Sequence, residues 1–525
     1  MPSPLQGVVF YLFYACTQEK KQTKPDQIQV IYITNERYDT PMSTSAFIEQ
    51  LTKILPQDRL LIKQEDLAPY ECDGLSVLRE KPLAVAIPET EGEILKILEL
   101  CRKHSTPVVT RGAGTGLSGG ARPVAGTLLL SMMRFNRILE VDEDNLTALV
   151  EPGVRNLAIS EAVADIGLYY APDPSSQIAC SIGGNVAENS GGVHCLKYGL
   201  TVHNIVAMKI ITMEGRILQL GNNTLESPGY DLMAILTGSE GMLGIITEIR
   251  VMLRVKPPTA RVMLAAFNDI EKAGDAVSAI INAGIIPAGL EMMDGYAIKA
   301  AEDFAHAGYP LDAAAILLCE LDGLDAEVSE HIYKLRPLLL EQGATEVRTS
   351  KNDEERQRFW AGRKAAFPAV GRISPDYYVM DGTIPRAALG TVLKQIAAWS
   401  EEYGLAVANV FHAGDGNLHP LILYDASITG ELHKAEEFGI RILKLCVEHG
   451  GTITGEHGVG VEKLDAMCEQ FNSDELDLFH ALKAAFDQQL LLNPGKAVPS
   501  LHRCAELGAM HVHNGELPFP ELDRF

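Results

Sequence analysis

The stretch that decides the fold runs from Arg111 to Gly120 and reads RGAGTGLSGG. It directly follows Pro107–Thr110, a short apolar run that predicts a strand. Its five glycines leave backbone N–H groups open to an anion, and Thr115 and Ser118 add hydroxyl donors. The loop lacks the Lys-Ser/Thr ending of a P-loop and the helix and acidic residue of a Rossmann fingerprint. It therefore predicts a pyrophosphate-binding loop of another kind, the alternative being a flexible surface turn.

Two further segments have the same character. Residues 172–192 read PDPSSQIACSIGGNVAENSGG, and residues 237–244 read TGSEGMLG before the β-rich run Ile245–Val255. Three loops dense in small and hydrogen-bonding residues exceed what turns alone require. Together they predict a site for one large, extended and polar cofactor.

Length and composition limit the classes of protein that fit. A chain of 525 residues has room for two or three domains, and Pro257–Pro258 is the best candidate boundary between them. The net charge of -24 disfavours binding to nucleic acid and to acidic lipid surfaces. The nine cysteines form no CxxC pair, so their pattern predicts neither structural zinc nor an iron–sulfur cluster.

The N-terminal residues form a separate segment. The apolar stretch 7–16 is about half a membrane span, and no Lys or Arg precedes it. We expect residues 1–41 to be a variable or disordered extension without a role in the chemistry, and the protein to be cytoplasmic.

A histidine pair flanks a predicted hairpin turn. Residues 405–425 read LAVANVFHAGDGNLHPLILYD, in which Asp415–Gly416 between two apolar runs predicts a two-residue turn. That turn would place His412 directly opposite His419 on one face, with Cβ atoms about 5 Å apart. Two imidazoles at this separation can share one metal ion. The alternative is two ordinary polar residues near a turn.

A third motif places Glu456 beside His457. Residues 450–463 read GGTITGEHGVGVEK, and a histidine among so many glycines has little packing reason to exist. Glu456 could complete a His-His-Glu metal site, while His457 stays free as a general base. The alternative is an exposed charged loop.

With these motifs laid out, the sequence resembles the FAD-linked oxidase family, which shares its fold with vanillyl-alcohol oxidase. Within that family it is most similar to the FAD-binding D subunits of bacterial glycolate dehydrogenases (glycolate oxidases). The likeness runs from about Pro69 to Phe525. The motifs that carry it are TRGAGTGLSGG, YYAPDPSSQIACSIGGNVAENSGG, TGSEGMLG, RISPDYYVMDGTIPR, FHAGDGNLHP, GEHGVG and LLNPGK.

The resemblance implies an α+β fold built around a vanillyl-alcohol oxidase (PCMH-type) flavin domain. The expected parts are a PCMH-type FAD-binding domain at 66–257, an α+β FAD-linked oxidase cap or substrate domain at 258–470, a C-terminal helix at 471–497 that returns to the FAD domain, and a tail at 498–525.

The resemblance also implies the residues of the site. Those expected to hold non-covalent FAD are Arg111, Gly112, Ala113, Gly114, Thr115, Gly116, Ser118, Gly119, Pro172, Ser181, Gly184, Asn185, Ala187, Glu240, Gly241 and Ile246. His412, His419 and Glu456 are the expected ligands of one divalent metal such as Zn or Mn, and His457 is the expected base. Arg363, in FWAGRKAAFP, is expected to clamp the substrate carboxylate in a bidentate fork.

The implied reaction is oxidation of a small D-2-hydroxy acid, with glycolate the leading candidate. His457 would take the hydroxyl proton while a hydride passes to the flavin N5. Since the chain has no cluster-binding cysteine pattern, the electrons are expected to leave through partner subunits. The resemblance implies that these are a second flavoprotein subunit and an iron–sulfur subunit that delivers electrons to the membrane quinone pool. Any membrane contact, on the inner face of the plasma membrane, would then be made by these partners.

Three other functions remain open at this point. Val379 and Met380 stand where relatives that oxidise 2-hydroxyglutarate carry a basic residue, which favours short monocarboxylates, but one methyl separates glycolate from D-lactate. The chain could thus be a stand-alone D-lactate dehydrogenase. It could also be a metal-dependent hydrolase with a nucleotide-binding domain, or a subunit that binds FAD only for assembly.

Overall fold

A computed structural model of the chain describes residues 44–224 and 229–499. The predicted extension 1–41, and the predicted tail beyond residue 499, lie outside the described residues. From Ser45 onward the described residues form one compact unit. The predicted domain boundaries within this unit stay predictions.

The described strands fall into four sheets. They are β1 (Leu60–Leu61), β2 (Ala84–Ala86), β3 (Val108–Arg111), β4 (Leu128–Ser131), β5 (Ile138–Asp142), β6 (Thr147–Val150), β7 (Leu168–Tyr169), β8 (Ile205–Ile211), β9 (Ile217–Gly221), β10 (Ile245–Met252), β11 (Arg254–Val255), β12 (Thr259–Phe267), β13 (Gly289–Asp294), β14 (Ala315–Gly323), β15 (Glu346–Thr349), β16 (Asp376–Val379), β17 (Val407–Phe411) and β18 (Pro420–Tyr424).

The described α-helices pack on these sheets or connect their strands. They are α1 (Thr44–Leu51), α2 (Gln64–Leu67), α3 (Glu91–His104), α4 (Asn156–Val163), α5 (Ile182–Glu188), α6 (Cys195–Tyr198), α7 (Leu232–Leu236), α8 (Ile270–Asn282), α9 (Gly295–Ala305), α10 (Asp325–Glu341), α11 (Asp353–Val370), α12 (Leu389–Tyr403), α13 (Glu431–Glu448), α14 (Leu464–Gln470) and α15 (Ser473–Phe486).

The first sheet, in the order β1-β2-β4-β3, delivers the glycine loop. Helix α3 connects β2 to β3, and β4 pairs in parallel with both strands. The helix begins because Thr90 caps it by accepting a hydrogen bond from the Glu93 N–H, and its apolar stripe, including Ile94 and Leu98, is buried. The predicted strand before the loop is confirmed.

The second sheet is antiparallel, in the order β5-β6-β10-β8-β9. Strands β8 and β9 form a hairpin, with Gly215 in the left-handed region at φ 80°. The predicted single run Ile245–Val255 is wrong in one respect. It divides after Met252, and its last two residues form β11, which pairs with β7.

The third large sheet is antiparallel, in the order β15-β12-β14-β13-β17-β18-β16. Both of its faces are buried, because alternate residues of β12 point into two different hydrophobic cores. Met263 and Phe267 belong to the first core, and Leu264 and Ala266 belong to the second. Helices α8, α10, α12 and α13 contribute to the first core, and α9 and α11 to the second. The sheet thereby gives the hairpin β17–β18 a rigid base.

The C-terminal residues return to the first sheet. Helix α15 is capped by Asn472, because Asn472 and Glu475 form a reciprocal capping box. It ends at Phe486, since the Asp487 carboxylate accepts the Leu492 N–H and turns the chain. The Asn493 N–H then donates to the Val108 carbonyl at 2.7 Å, beside the glycine loop.

Lys496 secures this return. Its Nζ is fully buried and donates to the carbonyl of Gly120 at 2.8 Å, to the Arg122 carbonyl and to Asn493 Oδ1. Lys496→Met keeps the side-chain volume but leaves three buried acceptors without their hydrogen-bond donor. We therefore expect it to lower the melting temperature by about 5 °C or more. Scanning calorimetry measures the shift.

Lys334→Met is the matched control, because Lys334 is exposed on α10 and its one ion pair within the described part of the chain is with Glu330. It should change the melting temperature by no more than about 1 °C. Equal melting temperatures for Lys496→Met and Lys334→Met would show that the C-terminal return does not depend on Lys496.

Candidate active site

A cavity of about 730 Å³ lies between the three glycine-rich loops and the Glu456–His457 pair. Its size is within the usual range for a ligand site. The predicted cofactor residues that line it are Gly112, Ala113, Gly114, Thr115, Gly116, Ser181, Gly184, Asn185, Ala187, Glu240, Gly241 and Ile246. His419, Glu456 and His457 line it as well. One lining thus joins the cofactor loops to the predicted reactive residues.

The other predicted cofactor residues do not line the cavity but contact residues next to its lining. The guanidinium of Arg111 donates to the Cys72 carbonyl at 2.5 Å. It also fills the space under Gly114, where a Cβ would stand 2.2 Å from the guanidinium. Since Gly114 has φ 71° as well, only glycine suits that position.

Ser118, Gly119 and Pro172 likewise contact protein rather than the cavity. The Ser118 carbonyl accepts the Val461 N–H at 3.0 Å, and Gly119 lies against the Val461 side chain. The Pro172 carbonyl accepts the Asn156 amide at 3.1 Å. A direct cofactor contact of these three residues and of Arg111 stays a prediction.

The hairpin register differs from the predicted one. His412 faces Asn417 rather than His419, and Ala408 faces Leu421, because the connection is a four-residue loop, 413–416, and not the two-residue turn Asp415–Gly416. The His419 carbonyl instead accepts the Val410 N–H. The two histidines are diagonal neighbours, and their ring centroids are still 5.1 Å apart.

The His-His-Glu set has the geometry of a metal site. Glu456 Oε1 lies 3.2 Å from His412 Nε2 and 3.3 Å from His419 Nε2. Donor atoms held about 2.1 Å from one tetrahedral ion stand about 3.4 Å apart. Both ring nitrogens of His419 are buried without a hydrogen-bond partner among the described residues. The three side chains therefore fit a divalent cation.

Glu291 supports this set from behind. Its carboxylate hydrogen-bonds His412 Nδ1 at 2.8 Å and accepts from Arg363 Nε at 2.8 Å, in a fully buried environment. A carboxylate on the far nitrogen of a histidine orients the ring for metal binding. Burial opposes a charged His412, but Glu291 and Glu456 outweigh it and raise the pKa of His412 well above its usual range. The two carboxylates thus favour a positive charge at the position of His412.

Arg363 does not line the cavity in this arrangement. It is buried on α11 and paired with Glu291, whereas its neighbours Lys364 and Phe367 do line the cavity. The predicted clamp on a substrate carboxylate therefore stays a prediction.

Asp381 holds the loop that presents Glu456 and His457. Its fully buried carboxylate accepts the backbone N–H groups of Gly455, Glu456 and His457 at 2.8 to 3.2 Å, together with the Thr454 hydroxyl. Asp381, His419 and His457 form a second group close enough to bind a metal. However, the carboxylate is already saturated by the loop, so we favour the His412, His419 and Glu456 set.

His457 has the environment of a neutral base. Its ring stacks on His419 with centroids 4.9 Å apart, and its Nδ1 is buried without a partner among the described residues. Burial, with His419 and Lys463 adding to it, lowers the pKa of His457 to about 4. The imidazole is therefore neutral at physiological pH and can accept a proton.

Sequence reasoning missed Glu291, Asp381 and Glu188. Glu291 lies in an apolar strand, GLEMMD, where a lone carboxylate among buried residues is a usable signal. Asp381 gave no such signal, because its partner Asn417 lies 36 residues away and the loop that it holds lies more than 70 residues away. Glu188 lines the cavity next to predicted residues of the same motif.

Comparisons with known proteins agree with this geometry. Residues 82–221 match the model of an FAD binding domain, and residues 256–497 match that of the C-terminal domain of FAD linked oxidases. The chain is 62% identical over 475 residues to glycolate oxidase subunit GlcD of Escherichia coli K12, covering 90% of this chain and 95% of that protein. It therefore belongs to the FAD-linked oxidoreductase family that includes the GlcD subunits.

Other relatives of this chain are less similar in sequence. GlcD of Bacillus subtilis 168 is 39% identical, covering 87% of this chain and 97% of that protein. A D-lactate dehydrogenase of Anaerostipes hadrus is 30% identical, covering 86% and 97%.

Solved structures show the same fold. The structure of p-cresol methylhydroxylase with bound substrate has a TM-score of 0.74 at 18% identity, covering 87% of this chain and 97% of that one. That of 4-ethylphenol oxidase from Gulosibacter chungangensis has a TM-score of 0.75 at 18% identity, covering 89% and 99%. The predicted α+β fold with a PCMH-type flavin domain is confirmed.

The Asp381 interactions lead to a test of the loop. In Asp381→Asn one acceptor oxygen becomes an N–H₂ donor facing backbone N–H groups, so the loop should open more readily. We expect peptides containing residues 454–458 to exchange amide hydrogens about 30-fold faster or more, as measured by mass spectrometry.

Asp376→Asn is the matched control. Asp376 lies at the start of β16, five residues before Asp381, and accepts one N–H from Ala426. Exchange at 454–458 should be unchanged in this variant. An Asp381→Asn protein with wild-type exchange there would contradict the role assigned to Asp381.

Proposed function

We propose that this protein oxidises glycolate to glyoxylate with FAD as the hydride acceptor. The observation that carries the proposal is the single cavity that joins the glycine-rich cofactor loops to His419, Glu456 and the neutral imidazole of His457. The high identity to GlcD of E. coli supports glycolate as the substrate. The D-lactate dehydrogenase relative is much less similar, so that alternative is second.

The side chains divide the reaction between them. His457 Nδ1, buried and without a hydrogen-bond partner among the described residues, is a candidate acceptor for the substrate hydroxyl proton. Arg363 would release Glu291 to bind the substrate carboxylate, which fixes the substrate's orientation. FAD, held without a covalent bond, would supply a two-electron acceptor for the hydride of the substrate 2-carbon. Phe367 lines the cavity and would limit the access of water to the reacting atoms.

A divalent metal such as Zn or Mn is the second proposed cofactor. His412, His419 and Glu456 would hold it, and a cation there would supply Lewis-acid polarisation of the substrate oxygen. The lowered pKa of Glu456, about 2, supports its role as an ionised ligand. Burial alone would raise that pKa, and the neighbouring histidines outweigh burial.

The region around Asp381 favours a short substrate. Val379 and Met380, both buried, precede it, so this strand offers no cation to a second substrate carboxylate. A pocket distinguishes glycolate from D-lactate only by one methyl, which is worth about 1–3 kcal/mol.

The protein is proposed to work within a multi-subunit complex. The name of the GlcD relatives describes a subunit, and the sequence contains no cluster-binding cysteine pattern for onward electron transfer. A second flavoprotein subunit and an iron–sulfur subunit are the proposed partners, and a cytoplasmic location on the inner membrane face would follow from them. No helix within the described ranges is long and apolar enough to cross a membrane.

The flavin spectrum tests the reaction and the substrate together. Anaerobic addition of glycolate to the purified yellow protein should bleach the flavin bands at least tenfold faster than D-lactate does. His457→Ala should keep the flavin bands but bleach about 10²–10⁴-fold more slowly, because the base is gone. Faster bleaching by D-lactate would favour a D-lactate dehydrogenase. An unchanged rate in His457→Ala would show that the reaction does not use this base. Wild-type flavin bands that persist with both substrates would fit a protein that uses FAD only for assembly, and a colourless protein would revive the hydrolase alternative.

Metal analysis tests the second cofactor. Plasma mass spectrometry of the purified protein should find about one divalent ion per chain, and His412→Ala or Glu456→Gln should reduce it at least tenfold. His433→Ala, an exposed histidine on α13, should leave it unchanged. A metal-free wild type that still bleaches with glycolate would overturn the metal proposal while leaving the flavin chemistry intact.

A further inference from the structure

Four side chains connect the cofactor segment 172–192 to the seven-stranded sheet and to helix α11. Asp173 lies in the cofactor segment and His194 shortly follows it, while Glu320 lies on β14 and Trp360 lies on α11. None of the four has a part in the proposed chemistry. We call them the His194 bridge.

His194 is the centre of this bridge. Its Nδ1 lies 2.8 Å from Asp173 Oδ2, and its Nε2 lies 3.3 Å from Glu320 Oε1. Both carboxylates are largely buried, with side-chain exposures of 14% for Asp173 and 5% for Glu320. An imidazole donates from both ring nitrogens only when it is protonated. The two facing carboxylates therefore favour the charged form of His194.

The second oxygen of Glu320 continues the connection to α11. Glu320 Oε2 accepts a hydrogen bond from Trp360 Nε1 and one from Arg356 Nη1, the latter at 3.3 Å. Arg356 and Trp360 are four residues apart on α11, so they share one face of the helix. One buried carboxylate thus holds both His194 and α11.

Both ends of the bridge adjoin the cavity. Asp173 directly precedes Pro174, which lines the cavity on the side of the cofactor segment. Trp360 precedes Lys364 by four residues and Phe367 by seven, and these two line the cavity from α11. Residues at such spacings lie along one face of a helix. The bridge therefore joins the cofactor side of the cavity to the side formed by α11.

The remaining charged groups beside His194 are paired elsewhere. Lys197 Nζ donates to the carboxylate of Asp322 and to its carbonyl, the latter at 3.0 Å. Within the described part of the chain, the carboxylates in contact with the imidazole are those of Asp173 and Glu320. Burial opposes a charge on His194, but these carboxylates outweigh it and raise the pKa of His194 well above its usual range.

We propose that the His194 bridge positions helix α11 relative to the cofactor, and so sets the distance over which hydride transfer occurs. Arg363, the proposed ligand of the substrate carboxylate, lies on this helix. A displacement of about 1 Å in a reacting pair can cost on the order of 10²-fold in rate. The four residues are positioning residues, because they act through α11 and not by contact with the substrate. The assignment rests on the proposed oxidation of glycolate with FAD.

Two variants interrupt the bridge at its link to α11. Glu320→Gln turns one acceptor oxygen into an N–H₂ donor, and Trp360→Phe removes the indole N–H but keeps an aromatic ring. For both we expect the limiting rate of flavin reduction at saturating glycolate to fall about tenfold or more, with the FAD content of wild type. Without substrate, peptides covering residues 356–368 should exchange amide hydrogens at least about tenfold faster than in wild type.

Lys209→Gln is the matched control. Lys209 is also a cation between two carboxylates, 2.9 Å from Glu91 and 3.0 Å from Glu248, but it joins β8 to α3 and β10 rather than to α11. This variant should keep the limiting rate of flavin reduction and the exchange at 356–368 within about twofold of wild type.

The pH dependence gives a readout that a general loss of stability would not reproduce. A neutral imidazole donates from one nitrogen only, so the bridge loses a hydrogen bond as the pH rises through the raised pKa of His194. The limiting rate of wild type should therefore fall at alkaline pH. This fall should be absent from Glu320→Gln and Trp360→Phe, in which the link to α11 is interrupted at every pH.

The outcomes separate this assignment from the function on which it rests. Wild-type flavin that glycolate does not bleach would overturn the proposed function and the role in hydride transfer with it. Wild-type flavin that glycolate does bleach, with unchanged limiting rates in both variants, would overturn the bridge assignment alone. Unchanged exchange at 356–368 in both variants would also overturn it, since α11 would then be held without the bridge. Trp360→Phe decides alone if Glu320→Gln does not fold.

Discussion

The Asp381 carboxylate determines where the reactive side chains stand. It gathers three successive backbone N–H groups of the loop that carries Glu456 and His457, and it also accepts from Lys463, which is buried at 1% exposure. A loop with glycines at 455, 458 and 460 has little intrinsic conformational preference. A buried anion that satisfies its N–H groups selects one conformation from many, at the point where the chemistry requires precision.

The same loop joins the cofactor region to the large sheet. Its next residues, Val459 and Gly460, donate to Glu240, and Val461 donates to the Ser118 carbonyl at the end of the glycine loop. On its other side Glu456 meets the hairpin histidines, which stand on the seven-stranded sheet. Cofactor loops and hairpin are therefore positioned through one short segment, so a small displacement of that segment affects both.

Much of this arrangement could be predicted from local patterns. The glycine loop after β3, the capped helix α3 and the hairpin around His412 and His419 all follow from residue type and spacing within about 20 positions. The register of the hairpin could not be predicted. Asp415–Gly416 fits a two-residue turn, yet the loop uses four residues because Gly416, at φ 82°, packs against the Ile384 carbonyl, a contact invisible in the local sequence.

The unpredicted site residues share one property. Asp381 and Glu291 act through partners that are distant in sequence. For all three residues, Glu188 included, the property that matters is which carboxylate oxygens have hydrogen-bond partners among the described residues. Residue type alone does not tell a saturated carboxylate such as Glu240 from an unsatisfied one such as Glu188. That distinction exists only once the fold has assigned the hydrogen bonds.

The buried bond from Lys496 to the Gly120 carbonyl spans 376 residues of chain. A ribosome that adds about 5–20 residues per second would make Gly120 on the order of tens of seconds before Lys496. During that interval the glycine loop has emerged but lacks the segment that fastens it. The nascent chain must therefore extend past Lys496 before the glycine loop is fastened, so the flavin site is completed only after most of the described residues have been made.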